Sequence, residues 1–170
     1  PIKSSIMNFN KEDHISNLHQ LLDYDAKHFT AGEILLKRNL PGWIEKAYAI
    51  KLKSVLQRYL EIVQKHVELM EHFIAEEEIY SISLQHKIIL AFIEDTNDKL
   101  AKCIDEEVRD AALLSCVQAI NHFKISAYGT AAAFTKELGM EKPSDIFKEV
   151  EINEKQIDDR LSQLAEHEIN

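Results

Sequence analysis

The sequence is poor in residues that break or reverse a chain. Four glycines and three prolines in 170 residues leave long uninterrupted stretches, which excludes a turn-rich all-β domain and predicts helices joined by short connections. Two cysteines, Cys103 and Cys116, are too few for a disulfide framework and lack zinc spacing, so both read as free thiols. No apolar run approaches the ~20 residues of a membrane span. No charged segment followed by an apolar one stands at the start, so no secretory leader is expected; the first residue is Pro1, which leaves the native start open. Lys and Arg number 20 against 29 Asp and Glu, a formal net charge of -9, and no basic cluster is visible, which argues against a nucleic-acid surface. These absences lead us to expect a cytoplasmic protein with neither nucleic acid nor membrane as a partner.

What is present is ordinary for a globular chain: 45% hydrophobic and 29% charged residues, enough for a single domain over 1–170 with one sizeable core. Residues 1–10 lack a period and read as irregular. A first helix is expected to open at Asn10, whose side chain can cap, with Glu12 and Asp13 in its first turn. It runs to Leu40, where Pro41 and Gly42 stop or kink it. Leu52, Leu56, Leu60, Val63, Val67, Met70 and Ile74 form a seam, and nothing between Trp43 and Glu78 demands a break. Glu76, Glu77 and Glu78 read as the solvated end of that helix, residues 79–86 are unpatterned, and Leu84 to Lys102 reads as a shorter amphipathic helix. A third long helix opens near Asp105 to Glu107 and closes at Gly139. The last has Pro143 in its first turn, with Ser144 and Asp145 as nearby acceptors, and ends near Asn170. A hairpin, a crossover and a second hairpin make a ferritin-like four-helix bundle with a shorter crossover helix.

Three stripes at helical period each carry one charge where core is expected. Ile15, Leu18, Leu22, Ala26, Phe29, Leu36 and Leu40 surround Glu33. Leu113, Val117, Ile120, Ala127, Ala131 and Phe134 surround Lys124, and Phe147, Val150, Ile157, Leu161 and Leu164 surround Glu154. An isolated buried charge is so costly that such groups pair, neutralise or bind a metal, so three helices each turning one inward imply a shared polar site. Ile62 and His66 lie on the flank of the second seam, within reach of the interior. Tyr128 reads as packing, and Gly129 in mid-helix as a close helix approach. His14, His19, His28, His72, His86, His122 and His167 show no paired metal spacing on an inward face and read as surface residues.

The segment DAALLSCVQAINHFKISAYGTAAAFTKELG resembles the third-helix pattern DAAL…VEHYEIAAYGT of the YciE/YciF-type ferritin-like proteins, a bacterial family associated with stress. EINEKQIDDRLSQLAEHEIN is similar to that family's closing helix ending LAE.EIN, and LPGWIEKAYAIKLKSVLQRYLEIVQKHVELMEHF to its first two helices. The likeness spans the chain from about Ser16 onward. It implies a ferritin-like bundle whose reversal falls at Tyr48 to Ile50, with Pro41 inside the first helix, and a homodimer, with no protein partner indicated.

The resemblance also implies a dinuclear metal site, of which this chain keeps half. Glu33 matches the first-helix glutamate, and Glu154 and Asp158 match the last-helix acids. Ile62, Asn121 and Lys124 stand where the family has glutamates, while Glu61 points outward by helical phase. His66, where the family commonly has glutamine, adds one nitrogen. Two metal ions bring about four positive charges that carboxylates must largely balance, and here the third helix offers a cation instead. Three readings follow. Glu33, Lys124, Glu154 and Asp158 form a metal-free ionic cluster in a non-catalytic bundle; Lys124 snorkels to a surface acid; or Glu33, His66, Glu154 and Asp158 hold iron or another divalent transition metal as an oxidase or iron-handling site. A small-molecule binder using the gap between helices is a further alternative.

Overall fold

A computed structural model describes residues 14–77 and 85–167, and among these the chain is helical throughout except for caps and turns. The helices are α1 (Leu18–Lys46), α2 (Ile50–Glu76), α3 (Lys87–Lys102), α4 (Glu106–Glu137) and α5 (Glu141–His167). Asn10, the irregular stretch 1–10, Leu84 and Asn170 lie outside the described residues; the crossover helix expected from Leu84 begins at Lys87, with His86 as its cap. The first helix starts at Leu18 with Asn17 as its cap, the Asn17 side chain accepting the Gln20 amide at 2.8 Å; residues 14–16, expected inside it, are not helical, and Glu12 and Asp13 lie outside the described residues. Ile15 falls before the cap and is 49% exposed, and so does not belong to the inward stripe. Pro41 sits inside α1.

The seam read as unbroken from Trp43 to Glu78 is divided by a reversal at residues 47–49. No nearby glycine or side-chain cap announces it, because the partner comes from α4. Asp110 accepts the Tyr48 amide at 2.8 Å with one oxygen and the Ala49 amide at 2.7 Å with the other, and Arg109 Nε donates to the Lys46 carbonyl. A buried carboxylate thus satisfies amides that the start of α2 leaves open.

These contacts also orient the bundle. The start of α4 meets the end of α1 at Asp110, and Tyr128 stacks on Phe29 with ring centroids 4.5 Å apart, so α4 runs antiparallel to α1. Lys65 pairs with Glu149 and Phe73 stacks on Phe147, so α5 runs antiparallel to α2. The crossover α3 lies along α1 in the same direction, with His86 over Gly32 at one end and Asn97 accepting from Trp43 Nε1 at the other. Asp105 caps α4 through the Val108 amide. Gly139, at φ 71°, closes α4, and the Met140 amide reaches back to the Thr135 carbonyl at 2.9 Å, the bond pattern for which glycine past a helix end is favoured. Pro143 is buried in the first turn of α5; Ser144, expected as an acceptor there, donates to the Ala132 carbonyl. At Gly129 the Glu151 side chain of α5 lies close: a Cβ would stand 3.0 Å from Glu151 Oε1, whose carboxylate is held by Lys148 and Lys155.

The apolar interior has two parts. One contains Leu36, Leu40, Trp43, Leu52, Leu56 and Leu161 among others; the second contains Leu22, Phe29, Met70, Phe73 and Phe147. Between them lies a layer of buried polar groups on α1, α2, α4 and α5.

Replacing Asp110 by Ala removes two charge-assisted bonds and strands two amides, so we expect a loss of about 2 to 3 kcal/mol, read by urea unfolding. Asp110→Asn, which keeps one acceptor, is expected to lose less.

Candidate functional site

The polar layer is built around Lys124. Its stripe on α4 turns inward, and the side chain, 4% exposed, ends between α1 and α5. Nζ donates to Glu33 at 3.0 Å and bonds Glu154 directly. The ammonium does not snorkel to the surface. Each carboxylate has a tyrosine as well: Tyr128 donates to Glu33 Oε1 at 2.7 Å and Tyr59 to Glu154 Oε2 at 2.7 Å. Asn121 Nδ2 donates to both the side chain and the backbone carbonyl of Glu154. The Tyr59 ring also lies 5.2 Å below Nζ, within reach of a cation–π attraction.

His66 completes the layer from α2. Asn153 holds its Nε2 at 3.3 Å, while Nδ1 faces Glu154 Oε1 at 3.5 Å and Glu33 Oε2 at 3.8 Å and has no hydrogen-bond partner. Ile62, where the resemblance implies a lost ligand, is buried as core. Glu61 is exposed and pairs with Arg58.

Asp158 is not part of this arrangement. Its carboxylate, 27% exposed, pairs with His122 at 2.6 Å and accepts from Gln118 at 3.0 Å. A residue four positions past Glu154 is turned about 40° further and lies ~6 Å along the axis, which carries Asp158 to the seam between α4 and α5. His86 departs from its expected place too: it is 8% exposed, whereas His14, His19, His72 and His122 are exposed.

Charge explains the protonation states. Burial pushes the Glu33 carboxyl up, but the Lys124 ammonium, His66 and the Tyr128 hydroxyl outweigh it and bring it down to about 2. Burial pulls Lys124 down, and the charges and hydrogen bonds of Glu154 and Glu33 more than offset that, leaving it above its ordinary value. Burial, reinforced by the adjacent carboxylates, raises Tyr59 and Tyr128 well above the usual phenol range. Both tyrosines therefore remain donors.

Among the described residues, Glu33, His66 and Glu154 bring donor atoms within 4.8 Å of one another. Asn153 Nδ2 donates to Nε2, so the neutral His66 ring carries its hydrogen on Nδ1; with that hydrogen lost, Nδ1 and two carboxylate oxygens make a donor set that one transition-metal ion could use. A dinuclear centre does not fit: two carboxylates cannot balance two divalent ions, and the Lys124 ammonium already bonds both. Sequence reasoning took Tyr128 as packing and did not single out Tyr59. Tyr59 lies seven residues before His66, two turns along the same face of α2, and that spacing was the signal for it.

The family model described as a domain of unknown function, DUF892, matches residues 17–170. This chain belongs to the DUF892 family. YciF of Escherichia coli (strain K12) is 30% identical over 121 residues, which is 71% of this chain and 73% of YciF. The crystal structure of the E. coli stress protein YciF superimposes with a TM-score of 0.79 at 25% identity, covering 89% of this chain and 96% of that one. YcfI from Rhodopseudomonas palustris, described provisionally as a structural protein, gives a TM-score of 0.84 at 25% identity over 88% of this chain and 96% of its own. The YciE/YciF-type resemblance of the motifs and this DUF892 membership agree.

The lowered carboxyl of Glu33 sets an acid limit. A depressed carboxylate contributes stability that is complete above its ordinary value of 4.5 and lost as pH falls through about 2. The raised Lys124 contributes below its ordinary value of 10.5 and loses that contribution only above it. Urea-unfolding stability attributable to the cluster is therefore expected to be flat near neutrality and to fall between pH 4.5 and 2. In Glu33→Gln that acid slope should be shallower, and an unchanged slope would count against the assignment.

Proposed function

We propose that this DUF892 chain is a ferritin-like bundle in which the interior lysine has taken the metal's electrostatic place, so that it acts without catalysis, in a stress-related structural or assembly role. The observation that carries the reading is Lys124 Nζ bonded to both Glu33 and Glu154 inside the core. At ~4 Å and an effective dielectric near 20, an opposite-charge pair gains up to about 4 kcal/mol before desolvation is subtracted. One ammonium thus holds two carboxylates that would otherwise need a cation. The description of YciF as a stress protein and of YcfI as provisionally structural fits such a role, which we place in the cytoplasm and in a homodimer.

The test is elemental analysis of protein purified without chelator, where well under one transition-metal ion per chain is expected. About one or more per chain would falsify the reading. Lys124→Met should lose roughly 3 to 5 kcal/mol in metal-free buffer, since it strands two buried carboxylates; a thermal melt unchanged from wild type would also sink it.

A second reading is favoured by the Nδ1 of His66, which has no hydrogen-bond partner and faces both carboxylates. In it Glu33, His66 and Glu154 bind iron or another divalent transition metal, and the chain is an oxidase or iron-handling protein. Ferrous iron added in air would then consume oxygen faster than buffer does, and Glu33→Ala would abolish the excess.

A further inference from the structure

His86 joins three jobs in one ring. Its Nδ1 accepts the Ile89 amide at 3.2 Å, which makes it the N-cap of α3. Its Cδ2 rests on Gly32, where a Cβ would come within 3.0 Å, so a side chain at that position would crowd the ring. It stands perpendicular to the Phe123 ring on α4, with ring centroids 5.6 Å apart and planes at 87°. The ring also lines a small, half-open cavity together with Glu33, Lys124 and Tyr128. The imidazole thus shares one cavity with the start of the crossover helix and the buried ion pair.

We propose that His86 is a proton-operated plug: the neutral ring caps α3 and covers this cavity on the α3 side, and the protonated ring releases the first turn of α3 and admits more water to the ion pair. The cap needs a bare lone pair on Nδ1, so the neutral ring carries its hydrogen on Nε2. A second proton must go to Nδ1, where it points donor to donor at the Ile89 amide, and the resulting cation stands at the positive end of the α3 dipole.

Among the described residues, the groups around the ring do little to accommodate that charge. On α1 they are His28, with ring centroids 6.2 Å apart, and Glu33; on α4, Lys124 lines the same cavity; on α3 the next residue is Lys87. Glu33 is the anion among them, and Lys124 and Tyr128 already engage it. Burial first, and then His28, hold His86 below its ordinary value of 6.5. A group depressed in this direction keeps its contribution above the unfolded value and loses it as pH falls below about 6.5. Its contribution therefore begins to fall at a higher pH than that of the Glu33 carboxyl, whose ordinary value is 4.5. The inference does not depend on whether the cluster holds a metal.

The experiment is amide hydrogen exchange of the full chain at pH 7.5 and 5.0, corrected for the intrinsic rate, together with a nitrogen NMR titration of the His86 ring. Protection of the Ile89 amide is expected to drop about tenfold at the lower pH, as for loss of one cap, with a midpoint matching the ring titration. His86→Asn, which caps without titrating, should keep its protection constant. Gly32→Ala should weaken protection at both pH values by displacing the ring. Wild-type protection that does not change, a midpoint separate from the ring's, or an equal fall in His86→Asn would overturn the proposal.

Discussion

One ammonium shared by two carboxylates in the middle of a helical bundle is the constraint on which this structure turns. Lys124 lies between Glu33 and Glu154, and three helices must hold their separation and rotation for that contact to exist. The cost of removing these charges from water is met by the surrounding donors: a tyrosine for each carboxylate and Asn121 for Glu154. Because the layer spans the bundle, the apolar core is divided above and below it. The fold therefore depends on helix register at this level more than a continuous greasy core would.

A second polar contact sets the topology around that layer. Asp110 ties the start of α4 to the turn between α1 and α2, and this fixes α4 antiparallel to α1. With α5 antiparallel to α2, the chain must return the length of the bundle between its two hairpins, and α3 makes that passage along α1. The same passage brings His86 over Gly32. The crossover is thus both a connection and one wall of the space beside the ion pair.

Much of this was legible as a pattern of defects. A single acid or base in an otherwise apolar helical stripe marked Glu33, Lys124 and Glu154, since interior charge is expensive on any helix. Gly129 was legible for a similar reason, as a costly residue in a long helix that turned out to lie against Glu151. Asp158 was less legible: four residues from Glu154, it falls close enough in helical phase to look inward, while the local helix rotation turns it toward His122. The start of α1 was also misplaced, because Asn10 and Asn17 are equally capable caps by type, and it is Asn17 whose side chain accepts the Gln20 amide and caps α1. His86 looked like a scattered surface histidine because its burial comes from Gly32 and Phe123, both remote in sequence.

The sequence by itself determined the helical class and the presence of three inward charges, since periodicity and scarcity of breakers are local properties of a chain. Family motifs added the reversal at Tyr48 to Ile50 that periodicity had hidden. Only the tertiary structure decided that Asp110 caps that reversal, that Tyr59 and Tyr128 serve the two carboxylates, and that Asp158 stands apart. Those outcomes depend on how far each helix rotates about its own axis when packed, and a few tens of degrees there choose which side chains meet.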